Sequence, residues 1–363
     1  MSETLARTPL YALHVELGGR IVPFAGWEMP VQYTGIIDEH MAVRKTAGLF
    51  DVSHMGEARV RGRDAAAFLD GIMTNDIATI RVGMARYTVM CQPDGGCVDD
   101  LIVYRLADTE FLICLNASNA QKDIAWMRSL VGNLQVEIID ECSAWAQLAI
   151  QGPAAEQILS EVTTLPLATI KRFGFLTGEV AGAAGCIVSR TGYTGSPGFE
   201  IYLPAASAEK VARALLAAGK PHGLVPAGLG ARDSLRLEAH YPLYGHEISE
   251  RISPIQAGLG WTVKFTKPAF VGREALHRQA EGGPSSSVIL FSLEDRRIAR
   301  QGAAVFAGQT QVGEVLSGTL SPVLNKPIGT ALVAAGFADS RELTVDIRGL
   351  RLPLHIAVAP FVK

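Results

Sequence analysis

Ile36, His40, Val43 and Ala47 recur at the three-to-four-residue interval of one helix face, which predicts a helix of about three turns, with Gly48 following as its C-terminal cap. Glu57 to Arg61 then alternates as a strand does, and Asp64 is placed to cap a short helix carrying Ala65, Phe68, Leu69 and Ile72. The runs Tyr87 to Cys91 and Leu101 to Leu106 flank Pro93-Asp94-Gly95-Gly96. Proline sets φ there and glycine admits positive φ, so the pair reads as a hairpin. Phe111 to Leu115 predicts another strand, ending at Asn116, and a helix follows with Ile124, Met127 and Val131 on one face. Trp145 to Ile150 adds a strand and Ser207 to Ala218 a helix. This order suits an antiparallel sheet with helices on one face better than a parallel βαβ repeat, so the predicted class is α+β. After about residue 285 the apolar runs shorten and are punctuated by Gly, Pro and Asn, which predicts a separate small all-β domain.

At 363 residues the chain exceeds the size at which one core keeps growing, and two or three domains are expected. Lys+Arg 33 against Asp+Glu 36 leaves a net charge of -3, so no nucleic-acid partner is expected. Residues 1 to 20 carry neither an apolar signal core nor an Arg/Ser-rich, acid-poor transit pattern, and no apolar run approaches the roughly 18 residues of a membrane span. A soluble, cytoplasmic protein with no membrane partner is the expectation. The five cysteines are odd in number, never in CxxC spacing and mostly embedded in apolar sequence, as buried free thiols would be. The histidines form no HxxxH or HExxH pair, so no metal site is expected.

Chemistry concentrates in three places. The run RTGYTGSPGFE, Arg190 to Glu200, has glycine at every third position threaded with Arg190, Tyr193 and Glu200. Positive φ and close backbone approach are what three such glycines allow, and the remaining carboxylate can accept two parallel N–H bonds from an amidine-like edge such as a 2-amino-4-oxo-pteridine. A plain glycine-rich hairpin loop fits the same residues. Asp99 and Asp100 follow a glycine turn at the mouth of a strand, where adjacent side chains face opposite ways. Asp100 shares a face with Ile102 and Tyr104, Asp99 with Leu101 and Val103, and the pattern alone does not choose between them. Gly228 to Ala239 opens with glycines and continues as a helix with Arg232 and Arg236 one turn apart, suited either to an oxygen ligand or to a solvated charged face.

These motifs, with FAGWEMPVQY (24 to 33), FDVSHMGE (50 to 57), GGCVDDLIVYR (95 to 105), IQGP (150 to 153), PAGLGARDSLRLEAHYPLYGHE (226 to 247), RIARQGAAVF and GEVLSGTLSP, resemble the aminomethyltransferase, or T-protein, family of the glycine cleavage system, in order and over nearly the whole chain. The resemblance implies an α+β, three-lobed ring: a folate-binding lobe from residues 1–56 with 142–248, a ferredoxin-like lobe from 57–141 with 249–277, and a C-terminal jelly-roll-like β domain over 278–363. It implies that tetrahydrofolate, as co-substrate, is held by Glu200, Tyr193 and Arg232. Asp100 is implied as the catalytic carboxylate, with Tyr87, Asn116, Met55, Tyr241 and Trp261 lining the same site. The implied partner is the lipoylated H protein, whose aminomethyl group gives its methylene carbon to tetrahydrofolate with release of ammonia, without a metal. Two rivals share the fold: a stand-alone tetrahydrofolate-dependent demethylase, and a non-catalytic folate-binding maturation factor. The intact RTGYTG..GFE and YPLYGHE motifs favour the T-protein over the first, and the lack of a KGC sequence disfavours the second.

Overall fold

The computed structural model describes residues 4–362. The first three residues of the stretch read for a leader, and Lys363, lie outside the described residues. Two compact units form, one from residues up to Phe68 with Thr79–Arg86 and Ile102–Arg232, the other from Leu69–Ala78, Tyr87–Leu101 and Asp233 onward.

In the first unit a six-stranded sheet runs in the order Phe175–Val180, Ala183–Ser189, Gly198–Pro204, Trp145–Gln151, Ala47–Asp51, Leu224–Pro226. Its ladders are antiparallel except the last, which is parallel. Strand alternation sorts its two faces. Leu148 and Ile150, with Phe199, Ile201 and Leu203, enter the core that also takes Ile158 and Leu159 of the helix Ala155–Ser160 and Val211 and Leu215 of the helix Ala208–Gly219. Each such fully buried side chain stabilises the unit by about 1.5–3 kcal/mol relative to exposure. The opposite face carries Gln147, Gln151, Glu200 and Tyr202, all buried, and it is on this polar face that the candidate site is built.

A second, five-stranded sheet has the order Ala85–Cys91, Cys97–Ala107, Glu110–Leu115, Gly56–Arg61, Glu137–Asp140. The predicted hairpin and the strand ending before Asn116 are both present. Tyr104, Leu112 and Cys114 pack with Phe175, Ile187 and Tyr202 in one aromatic-rich cluster. Tyr104 meets Phe175 and Tyr202 edge-on, with centroids 5.6 and 5.2 Å apart.

The first predicted helix is shorter than the pattern suggested. It spans Ile36–Lys45, Thr46 caps it by donating its N–H to the Ala42 carbonyl, and Ala47 and Gly48 belong to the next strand. Gly48 therefore caps nothing: it pairs with Gln151 on one side and Val225 on the other, and a Cβ there would lie 2.5 Å from Val43 Cγ2. Pairing on both edges outweighs the local capping preference.

In the second unit the C-terminal domain is all-β in strand content, as predicted, apart from one short 3-10 turn at Ala335–Phe337. Its sheet has the order Leu350–Pro353, Leu343–Ile347, Ala304–Ala307, Thr310–Ser321, Lys326–Ala334, Ser286–Ser292, His355–Ala357. Phe291, Leu293, Val305, Val315, Val333 and Val345 fill its core. Elsewhere in this unit Lys267 donates to the carbonyls of Asp70, Met73 and Asn75, so that a buried ammonium satisfies the chain leaving the helix Ala65–Ile72. Among the described residues no helix is long and apolar enough to cross a membrane, and all five cysteines are free thiols.

Candidate active site

The polar face of the first unit is built around Glu200. It lies on the strand Gly198–Pro204 rather than in the glycine loop, with Ser189 and Ala149 as its partners on either side. Only 6% of the residue is exposed. Thr191 donates its hydroxyl to Oε2, and Gln147 Nε2 donates to Oε1 at 3.4 Å. Behind Thr191 stands Tyr104, its hydroxyl 3.4 Å from Thr191 Oγ1, and Tyr202 donates to Tyr104 at 3.1 Å. Burial pushes the Glu200 carboxyl above its ordinary range, an effect that the Thr191 bond and the nearby charge of Arg232 oppose only in part.

The loop between the two strands owes its glycines to two different causes. Gly195 has φ of 75°, the left-handed region that glycine enters without cost. At Gly192 and Gly198 the reason is space, since a Cβ would fall 2.0 Å from Gln151 Oε1 and 2.4 Å from the Ile150 carbonyl. Gln151 in turn donates to the Thr191 and Phe199 carbonyls and accepts from Thr194, tying the loop to the sheet. Arg190 points away from the site, bonding Glu156 and the carbonyls of Leu167 and Ile170.

Arg232, on the helix Leu229–Glu238, places its guanidinium 4.5 Å above the Tyr193 ring, and its charge also acts on Glu200. His54 is buried in the same region, its Nδ1 without a hydrogen-bond partner among the described residues. Burial, reinforced by Arg232, pushes this imidazole down to about 4, so it is neutral near pH 7. Its neighbour Met55 packs against the Tyr104–Tyr202 cluster. Asn116 is half-buried just past the strand Glu110–Leu115, where its carbonyl accepts the Asn119 N–H.

In the second unit Asp100 accepts a hydrogen bond from the Tyr87 hydroxyl at 2.9 Å. The Tyr87 ring stacks on Trp261, centroids 5.8 Å apart and planes inclined by 27°. Trp261 is 58% exposed, unusual for so large an apolar ring. Asp99 faces the other way and is fully buried, while Asp100 is half-buried. Tyr241 follows the helix Leu229–Glu238 after His240, whose φ is 58°, and its backbone is anchored both ways to Arg236.

Arg236, one turn further along the helix, is held by protein groups. Its guanidinium is buried, bonded to Asp233 and Glu247 at 2.9 Å and Ser317 at 2.8 Å, and Glu247 also accepts from Thr330 and the Leu243 N–H. Burial alone would raise the Glu247 carboxyl, but Arg236 and these donors hold it below its ordinary range. The reading of this helix as a solvated charged face is therefore overturned at Arg236 and at Glu238, which is also fully buried and accepts from Ser321.

Sequence reading missed Gln147, Thr191 and His54. A signal for the first existed: Gln147 and Gln151 are the two amides in the otherwise apolar strand WAQLAIQ, on the same side of it. Among the described residues no group of three or more His, Cys, Asp or Glu is placed to hold a metal ion.

The chain is similar to known proteins over its whole length. The family described as GCVT N-terminal domain matches residues 10–267, and the glycine cleavage T-protein C-terminal barrel domain matches 287–363. Proteins named aminomethyltransferase from Desulforamulus reducens and Geobacillus kaustophilus are each 49% identical, with 99% of this chain and 99% of theirs aligned. The crystal structure of glycine cleavage system aminomethyltransferase T from Bartonella henselae superposes with a TM-score of 0.93 at 34% identity, covering 99% of this chain and 98% of that one. With the carboxylate, guanidinium and aromatic groups in the places described, this chain belongs to the aminomethyltransferase (T-protein) family of the glycine cleavage system, which are tetrahydrofolate-dependent one-carbon transferases.

Proposed function

We propose that this protein transfers the methylene carbon of an aminomethyl group, carried on the lipoyl arm of the H protein, to tetrahydrofolate, releasing ammonia and forming 5,10-methylenetetrahydrofolate. One C–S and one C–N bond break and two C–N bonds form. Of the two protons lost from the folate nitrogens, one goes to the lipoyl sulfur and one to ammonia, so no oxidant or reductant is required. Tetrahydrofolate supplies the two accepting nitrogens.

The observation that carries this reading is Glu200. An ionised carboxylate has about four acceptor positions. Thr191 and Gln147 occupy one on each oxygen, which leaves one on each for the paired N–H donors of a pteridine edge. Arg232 offsets the charge, and Tyr193 borders the ring. Asp100, oriented by Tyr87, is assigned the role of balancing positive charge on the reacting carbon or taking a proton, with Trp261 and Tyr241 as aromatic walls and Met55 and Asn116 as further lining. In this reading residues 1–56 with 142–248 form the folate lobe, 57–141 with 249–277 the ferredoxin-like lobe and 278–363 the C-terminal lobe.

The test is a coupled assay with aminomethyl-lipoyl H protein and tetrahydrofolate, following ammonia and methylenetetrahydrofolate together. Equal yields of both, dependent on both substrates, are expected. Folate-dependent turnover of methylated amines with none of the H protein would assign the chain to demethylation instead.

A further inference from the structure

Glu200 receives its two protein hydrogen bonds from the ends of two chains of side-chain donors. On one side the Cys114 S–H donates to Gln147 Oε1 at 3.7 Å, which turns the amide so that Nε2 faces Glu200 Oε1 at 3.4 Å. On the other, Tyr202 donates to Tyr104, leaving the Tyr104 hydroxyl to donate to Thr191 Oγ1 and Thr191 to Glu200 Oε2. The two chains start close together, because Tyr202 lies directly across the ladder from Gln147. Every donor is buried.

We propose that Gln147 and Thr191 are positioning residues for folate, each giving one donor to one oxygen of Glu200 so that the carboxylate is held in plane and ionised, its remaining lone pairs aimed at the ligand. The inference rests on the folate reading above. Apart from these two, the groups that face Glu200 or its donors are Tyr202 on its own strand, Ser189 on the adjacent strand, Tyr104 and Cys114 from the second sheet and Arg232 from the helix. Glu57 in turn acts on Cys114. Arg232 is the one cation in this set. Burial pushes Tyr104, Tyr202 and Cys114 upward, so all three stay protonated and able to donate. Burial also pushes Glu200 toward its neutral form, whose O–H would stand where two acceptors are wanted. Donors that bond only the ionised form oppose this.

The experiment is calorimetric titration of tetrahydrofolate into the full-length protein over a series of pH values, with wild type, Gln147→Met, Thr191→Val, Thr191→Ser and Glu200→Gln. Loss of one donor to a charged acceptor is expected to weaken binding about tenfold on the acid side of the profile. It should also raise the pH at which affinity reaches its plateau by about one unit. Thr191→Ser keeps the hydroxyl and is expected to restore the wild-type profile. Melting temperatures run alongside, because a merely structural role would lower them without moving the profile. Wild-type pH profiles in both Gln147→Met and Thr191→Val, with Glu200→Gln still weakened, overturn the positioning role alone. Unimpaired binding by Glu200→Gln overturns the folate assignment and this inference with it. Should Gln147→Met not fold, the Thr191→Val and Thr191→Ser pair decides the outcome.

Discussion

Replacing Asp100 by Asn removes a negative charge while preserving shape, and the expected result is turnover reduced by about 10² to 10⁴, the usual range for a positioned acid–base group. That corresponds to about 2.7–5.5 kcal/mol of transition-state stabilisation. The structure sets a smaller companion effect. Tyr87 donates to Asp100 at 2.9 Å and its ring is held independently by stacking on Trp261, so Tyr87→Phe deletes the hydroxyl and leaves the ring in place. A hydrogen bond to a charged group contributes about 1.5–3 kcal/mol, so Tyr87→Phe should slow turnover by roughly 10- to 100-fold. It should add little to Asp100→Asn, because the two groups act as a unit. Asp99→Asn is the opposing control. Its side chain is fully buried on the face shared with Leu101 and Val103, so the change should cost about 1–3 kcal/mol of stability with a small effect on rate. The assay is single-turnover ammonia release from aminomethyl-lipoyl H protein with tetrahydrofolate saturating, alongside thermal unfolding. A dead Asp99→Asn beside a healthy Asp100→Asn would refute the face assignment, and two healthy variants would refute the carboxylate role.

Other parts of the structure make independent predictions. Arg236→Met strands the buried Glu247 carboxylate and should destabilise the protein by about 3–5 kcal/mol, whereas Arg236→Met with Glu247→Leu should recover most of the loss; denaturant titration distinguishes the two, and equal destabilisation by both would contradict the pairing. Burial alone would raise the Asp51 carboxyl, but bonds from His14 Nε2, Ser53 and Thr8 outweigh it and hold the group below its ordinary value of 3.8. The stability it contributes is therefore complete above that value and lost as pH falls through the lowered native one. Acid unfolding of Asp51→Asn should lack this component, and an unchanged slope would exclude it. Gly192→Ala drives a methyl into Gln151 Oε1 and should cost about 1–3 kcal/mol through overpacking, read as a lower melting temperature.

Periodicity and turn chemistry in the sequence were enough for the α+β class, the hairpin at Pro93–Gly96, the helix after Gly228 and the β-rich C-terminal domain, because each depends on residues within a turn or two of one another. The motifs also carried the family. What they could not carry was register. Glu200 reads as part of a glycine loop in the sequence but lies on a strand, and its donor Gln147 comes from 53 positions away. Arg232 and Arg236 look equivalent one turn apart. Only packing sends the first over Tyr193 and ties the second to Glu247 and to Ser317, which is 81 residues distant. Gly48 has the local signature of a helix cap, yet strand pairing on both sides claims it. The physical reason is common to all of these. Local propensities differ by about 1 kcal/mol or less per residue. A buried polar group left without its partner costs about 1–3 kcal/mol, so the long-range partners that only the folded register brings together decide where each of these side chains ends up.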